Sequence, residues 1–229
     1  MPITFSTGGL FYAGARALLG AAVRVYFRRI ELNRPDRLPT FGPVLLVANH
    51  PSSLTDVLVL GAAVDRRLHF LAHSGLFRPW YRGFFLKAAG ALPVYRREDE
   101  PTLTHRNDDT FRACHELFDR DGVIVIFPEG TSETDRSVKK FKTGAARLAL
   151  GYDALPGRAG RLSIVPVGLH FTERTAFGSD VVAAVGRPVP MEAARARRAD
   201  DPEGAVRALT EEMQARIGRL TLHVPVAEL

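Results

Sequence analysis

Two short segments hold most of the side chains that could do chemistry. The first, His50-Pro51-Ser52-Ser53-Leu54-Thr55-Asp56, follows the apolar run Val44–Ala48. A histidine whose second ring nitrogen is held by a carboxylate can take a proton from a hydroxyl near neutral pH. Pro51 suits a first helical position, which predicts His50 at the N-cap and Asp56 inside the helix. The second segment, Phe127-Pro128-Glu129-Gly130-Thr131-Ser132, closes the run Val123–Phe127. Glu129 could bond an alcohol or a cation. Gly130 lets backbone approach a ligand closely, and free amides at such a turn can bind an oxyanion or a phosphate. Taken alone, a His and an Asp six positions apart are mostly coincidence, and the second segment is also compatible with a plain strand-to-loop turn.

Two weaker segments complete the set. Gly90-Ala91-Leu92-Pro93-Val94-Tyr95-Arg96-Arg97 ends in paired guanidinium groups suited to bidentate phosphate capture. Ile164-Val165-Pro166-Val167-Gly168 contains nothing reactive, and its proline argues against an ordinary central place in a ladder. No Gly-x-Ser-x-Gly elbow occurs, so Ser52 and Ser53 read as helix-start residues rather than nucleophiles. Cys114 falls within an amphipathic pattern and reads as core.

These segments need a scaffold, and the hydrophobic periodicity supplies one. Short apolar runs at 44–48, 68–72, 92–95, 123–127, 164–171 and 181–185 read as strands. Helical spacing occupies 52–63, 77–89, 110–119 and 143–151 between them, and a last amphipathic stripe follows Asp201-Pro202. The alternation predicts an α/β fold: a single domain with a mostly parallel or mixed sheet flanked by helices, its ligand site at the strand ends. Leu10 to Phe27 is apolar but interrupted by Arg16 and Arg24, too broken for a full crossing. Two readings stay open for it: a membrane-interface helix with arginines at the headgroups, or a helix covering the domain's own core. The expected organisation is a membrane-associating helix over 1–30 and a catalytic domain over 31–229.

Composition narrows the class. The 229 residues carry 31 Lys plus Arg against 25 Asp plus Glu, a formal charge of +6. With 46% apolar residues the chain is ordinarily globular rather than disordered. One cysteine excludes a disulfide framework, and the scattered histidines suggest no metal. The basic excess, almost all arginine, suits an anionic membrane, nucleic acid or a phosphorylated substrate. No zinc-finger, RRM or helix-turn-helix signature appears, which disfavours nucleic acid as partner.

Taken together, NHPSSLTD, GALPVYR, FPEGTS and IVPVG resemble, in order, the four blocks of the PlsC-type glycerolipid acyltransferase family. FKTGAARLAL (141–150) and VGRPVP (185–190) match in the flanks, so the likeness covers roughly 25–190. The resemblance implies His50 as general base and Asp56 as its orienting partner. It implies a substrate-binding set of Arg96, Glu129, Gly130, Thr131 and Ser132, with Arg96 on the acceptor's phosphate. It further implies acyl transfer from acyl-CoA or acyl carrier protein to a glycerol-phosphate lipid precursor, 1-acylglycerol-3-phosphate foremost, in phospholipid biosynthesis. No cofactor is expected beyond the thioester co-substrate. The expected location is peripheral or monotopic, on the cytoplasmic face of the cell membrane. Three departures stand out: five residues rather than four separate His50 from Asp56, Ser132 replaces an arginine, and His73 stands where relatives often have lysine. The spacer and Ser132 look like the branch containing glycerol-3-phosphate and dihydroxyacetone-phosphate acyltransferases. A non-catalytic lipid-binding protein on the same scaffold is the other alternative.

Overall fold

The computed structural model describes residues 9–95, 107–130 and 140–222. In chain order the elements are α1 (Gly9–Tyr26), β1 (Arg29–Asn33), β2 (Val44–Ala48), α2 (Leu54–Ala63), β3 (Leu68–His73), α3 (Trp80–Ala88) and β4 (Ala91–Val94). There follow α4 (Asn107–Asp119), β5 (Val123–Ile126), α5 (Gly144–Asp153), β6 (Ser163–Phe171), β7 (Asp180–Val185), α6 (Glu192–Arg197) and α7 (Pro202–Leu222). The strands form one sheet in the order β1-β7-β6-β2-β5-β3-β4. Every neighbouring pair is parallel except β6 with β7. The predicted single α/β domain with a mixed sheet is therefore what the chain builds.

Burial explains why the central strands read as unbroken apolar runs. All five residues of β2 are buried, since helices cover both faces of the sheet. Leu45 and Val47 join Ile124 and Ile164 in a core with Cys114, Phe118, Leu148, Tyr152 and Met213 from α4, α5 and α7. Val44, Leu46 and Ala48 face the other way, toward Val23, Phe27, Val59 and Leu60 at α1 and α2. Truncating a central residue such as Leu46 to alanine should cost about 2–5 kcal/mol, the usual penalty for a cavity in a close-packed interior.

Three sequence expectations are corrected. β1 (RIELN) was not anticipated, because Arg29, Glu31 and Asn33 alternate with its two apolar residues and its middle is only half-buried, which hides any apolar run. It forms because β7 offers a free parallel edge, with Leu32 beside Ala183. Pro166 does occupy a strand between two neighbours, opposite Val47 of β2. The amides of Ser163 and Leu169 point toward β2, onto the Pro43 carbonyl and the Asn49 side chain. By alternation the missing Pro166 N–H faces the β7 side, where the β6–β7 pairing has already ended at Val167 and Val185. No ladder bond is lost. Third, α2 starts at Leu54 rather than near Pro51, for a reason that belongs to the site.

α1 presents two faces. Val23 on it and Phe27 just after it are buried in the core, whereas Leu18, Leu19 and Val25 are exposed. Arg16 donates to the Val64 and Asp65 carbonyls at 2.7 and 3.1 Å, and Arg24 to the Ala62 carbonyl at 3.3 Å. Those are the carbonyls that the end of α2 cannot satisfy internally. Both arginines thus pin α1 to α2, and one face of α1 covers the domain's own core. Among the described residues no helix is long and apolar enough to cross a membrane.

Candidate active site

Parallel pairing brings the two reactive segments together. Val47 of β2 stands opposite Ile126 of β5, so His50 and Glu129, each three residues further on, leave the same edge of the sheet. The Glu129 carboxylate accepts the backbone N–H of His50 at 3.2 Å. Glu129 therefore holds the main chain of the histidine. The His50 ring lies flat on Phe127, with centroids 4.0 Å apart and planes 16° from parallel. Asn49 fixes the strand end: its side chain donates to the Leu169 carbonyl at 3.1 Å and accepts the Leu169 N–H at 2.6 Å. In effect an amide side chain continues the β2–β6 ladder for one more step.

His50 and Asp56 meet directly. Asp56 Oδ2 lies 2.9 Å from His50 Nδ1 and accepts the Ser52 N–H at 2.8 Å. The carboxylate is wholly buried while the imidazole keeps about a fifth of its surface, 19%, open to solvent. Burial pushes the Asp56 carboxyl above its ordinary range. The His50 and Ser52 hydrogen bonds, and the nearby charges of His50 and Arg174, pull it back down. Asp56 Oδ1 is buried and has no hydrogen-bond partner among the described residues. With the carboxylate ionised, Nδ1 must carry the ring proton, which leaves the Nε2 lone pair for an incoming hydroxyl.

The five-residue spacer is accommodated at one residue. Ser53 has φ 53 and ψ −121, close to the first corner of a type II′ turn. The Thr55 N–H closes that turn on the Ser52 carbonyl at 3.2 Å, and Asp56 N–H bonds the Ser53 carbonyl at 3.2 Å. This tight corner precedes α2, delays its start to Leu54, and swings Asp56 back under the imidazole. The position favours glycine, so serine there holds strained backbone.

Gly130 turns with φ 75, and a Cβ on it would come within 2.7 Å of Lys142 Cε. The lysine stem thus lies across the glycine, and its own N–H bonds the Pro128 carbonyl at 2.8 Å. Reasoning from the sequence singled out neither Lys142 nor Phe127 nor Arg174 as site residues. The FKTGAARLAL flank contained the first and FPEGTS the second, but only the tertiary placement shows what they touch. Of the site residues expected from the sequence, the structure brings together His50, Asp56, Glu129 and Gly130. Arg96, Thr131 and Ser132 lie outside the described residues. His73 ends β3 opposite Val94, at the same edge of the sheet. Among the described residues no group of three His, Cys, Asp or Glu side chains could hold a metal ion.

Comparison with known proteins identifies the family and the fold. A family model described as Acyltransferase matches residues 29–170, which include His50, Asp56, Glu129 and Pro166. The chain is 28% identical over 135 residues to a chloroplastic 1-acyl-sn-glycerol-3-phosphate acyltransferase of Arabidopsis thaliana, covering 58% of this chain and 36% of that one. It is 29% identical over 120 residues to glycerol-3-phosphate O-acyltransferase 2 of Saccharomyces cerevisiae, covering 52% of this chain and 16% of that one. The chain thus spans well under half the length of either relative. The crystal structure of the 1-acyl-sn-glycerophosphate acyltransferase PlsC from Thermotoga maritima superposes with a TM-score of 0.63 at 17% identity, covering 94% of this chain and 80% of that one. That likeness shows a shared fold. The matched segment takes in more than half of the chain and both halves of the His50–Asp56 pair, and the chain belongs to the Acyltransferase family.

Proposed function

We propose that the protein transfers a fatty acyl group from an acyl thioester, on CoA or acyl carrier protein, to the free hydroxyl of 1-acylglycerol-3-phosphate. The observation that carries this is the 2.9 Å contact between a buried carboxylate and an imidazole that keeps about a fifth of its surface open at a sheet edge. His50 Nε2 takes the hydroxyl proton as the oxygen attacks the thioester carbonyl. A tetrahedral oxyanion forms and collapses, expelling the thiolate, which recovers the proton from the imidazolium. Asp56 stabilises that imidazolium, and Phe127 keeps the ring in plane. A backbone N–H facing the developing oxyanion would stabilise it, each such donor being worth about 3 kcal/mol. Arg96, Thr131 and Ser132 complete the acceptor site in this reading.

A second reading takes glycerol-3-phosphate or dihydroxyacetone phosphate as acceptor. It is favoured by the Ser53 corner that fits five residues between His50 and Asp56, by Ser132 in place of arginine, and by the yeast relative. Labelled acyl-CoA offered with each acceptor side by side decides between the two. His50→Ala should reduce turnover at least about 10²-fold while circular dichroism stays unchanged. A folded His50→Ala protein with near-normal turnover refutes the mechanism; lipid binding without turnover in the parent chain supports a non-catalytic scaffold. Because acceptor and product partition into lipid, we place the protein on the cytoplasmic face of the cell membrane as a peripheral protein, with α1 as one contact. Its outward Leu18, Leu19 and Val25 support that placement.

A further inference from the structure

α3 is the most exposed apolar element among the described residues. Trp80 is 82% exposed and Phe84 62%, with Tyr81, Phe85 and the preceding Leu76 also open to solvent. The aromatic rings stack on each other edge to face, Trp80 with Tyr81 and Phe84 with Phe85, instead of on the core. Five large apolar side chains together on a soluble surface mark an interaction site. Along the segment that carries them the charge has one sign. From Ser74 to Tyr95 the chain carries Arg78, Arg82 and Lys87 and no aspartate or glutamate.

We propose that α3 docks on an anionic lipid bilayer, its aromatic rings lying at the headgroup level with Arg78, Arg82 and Lys87 against the lipid phosphates. Tryptophan and tyrosine suit that zone because one end of each ring system is apolar and the other can hydrogen-bond. The cations complement a negative surface. A second copy of the same face is a poor occupant, since a two-fold contact would bring like charges together. Position argues the same way. β3 is parallel to β5, so the turn from His73 into α3 leaves the sheet edge that carries His50 and Glu129. Docking by the Trp80 end would set the site at the lipid surface. The inference rests on the acyltransfer reading only for its purpose, not for its geometry.

Trp80 is the sole tryptophan of the chain, so intrinsic fluorescence reports this surface alone. The full chain is mixed with phosphatidylcholine vesicles with or without phosphatidylglycerol, and with vesicles of brominated lipid. Expected are a blue shift of emission and quenching by bromine, both strongest with phosphatidylglycerol. The Phe84→Ser/Phe85→Ser pair should weaken partitioning at least tenfold. Arg82→Glu, which leaves the aromatic face intact, should weaken it at least about fivefold, the share expected per cation. Cosedimentation of the parent chain with unchanged Trp80 emission overturns the proposal in favour of another surface. A dimer in the absence of lipid that Phe84→Ser/Phe85→Ser abolishes overturns it in favour of a self-contact, and failure to bind vesicles at all overturns it outright. Turnover of a water-soluble short-chain acyl-CoA is measured in parallel with a short-chain 1-acylglycerol-3-phosphate and with glycerol-3-phosphate as acceptors. Docking lost with turnover kept supports both readings. Docking intact in a parent chain that turns over no substrate refutes only the acyltransfer reading.

Discussion

Ser53 offers the sharpest test of how the site is assembled. Its φ of 53 and ψ of −121 fall where a side chain is crowded and glycine is at ease. A non-glycine residue held in such a region stores on the order of 1–3 kcal/mol. Ser53→Gly should release that strain, less about 0.5–1 kcal/mol for the extra freedom of glycine in the unfolded chain. The net gain is about 0.5–2 kcal/mol. For a chain of this size each kcal/mol moves the midpoint by roughly 2–4 °C, so Tm should rise by about 1–8 °C. Because the turn, the Ser52 N–H bond to Asp56 and the His50 contact all persist, kcat should stay within about twofold of the parent. Ser53→Val should do the reverse and destabilise, since branching at Cβ worsens the same crowding. Scanning calorimetry together with acyl-CoA turnover reads both effects. A lower Tm for Ser53→Gly would refute the strain argument. A collapse of kcat without loss of stability would show instead that the Ser53 hydroxyl takes part in the chemistry.

Asp56→Asn should raise Tm at neutral pH while lowering turnover by about 10³-fold or more, because a carboxamide cannot hold the Nδ1–H tautomer as a charge does. The sign follows from burial: a folded-state carboxyl raised above 3.8 favours the fold below that pH and loses this contribution as pH rises through its folded value, and asparagine never ionises. Asp153 is the opposite case. Its carboxyl is held low chiefly by the Arg195 hydrogen bonds at 2.8 and 2.9 Å, so its contribution is present above pH 3.8 and disappears as pH falls through the folded value. Asp153→Asn should cost about 2–4 kcal/mol at pH 7 and converge on the parent as pH falls through the folded value, as read by denaturant titration across pH. The Cys114 thiol is pushed up to about 12 by burial, so a thiol reagent should label the chain only as fast as it unfolds.

What the sequence discloses follows the physics of each element. β2, β5 and β6 are covered on both faces, so their runs are continuous and their positions are legible to within a residue or two. β1 is held by an edge and by its partner's ladder, and that signal lies in Asp180–Val185, far from Arg29–Asn33. The start of α2 misleads because Pro51 suits a first helical turn, whereas the pull of Asp56 on Ser52 N–H and on the imidazole bends the chain there. Within the site, the pairing of His50 with Asp56 is local and so visible as a spacing. The Glu129 bond to the His50 amide needs the β2–β5 register, and the ring stacking on Phe127 needs its pleat. Neither relation is written in any window of adjacent residues.

The strand order also has a consequence for how the chain is made. β2 sits between β5 and β6, so a strand buried along its whole length has no neighbour until chain well downstream has left the ribosome. Glu129 lies 79 residues beyond His50, an interval of roughly 4–16 s at 5–20 residues per second. During that interval α1 and α3 have already emerged, each with large apolar side chains that the finished fold leaves exposed. The His50–Asp56 pair lies wholly within the early portion, whereas Glu129 and Asn49's partner Leu169 arrive late. The order of synthesis therefore leaves these exposed apolar helices open to other surfaces or to chaperones before the sheet edge that carries His50 and Glu129 is complete.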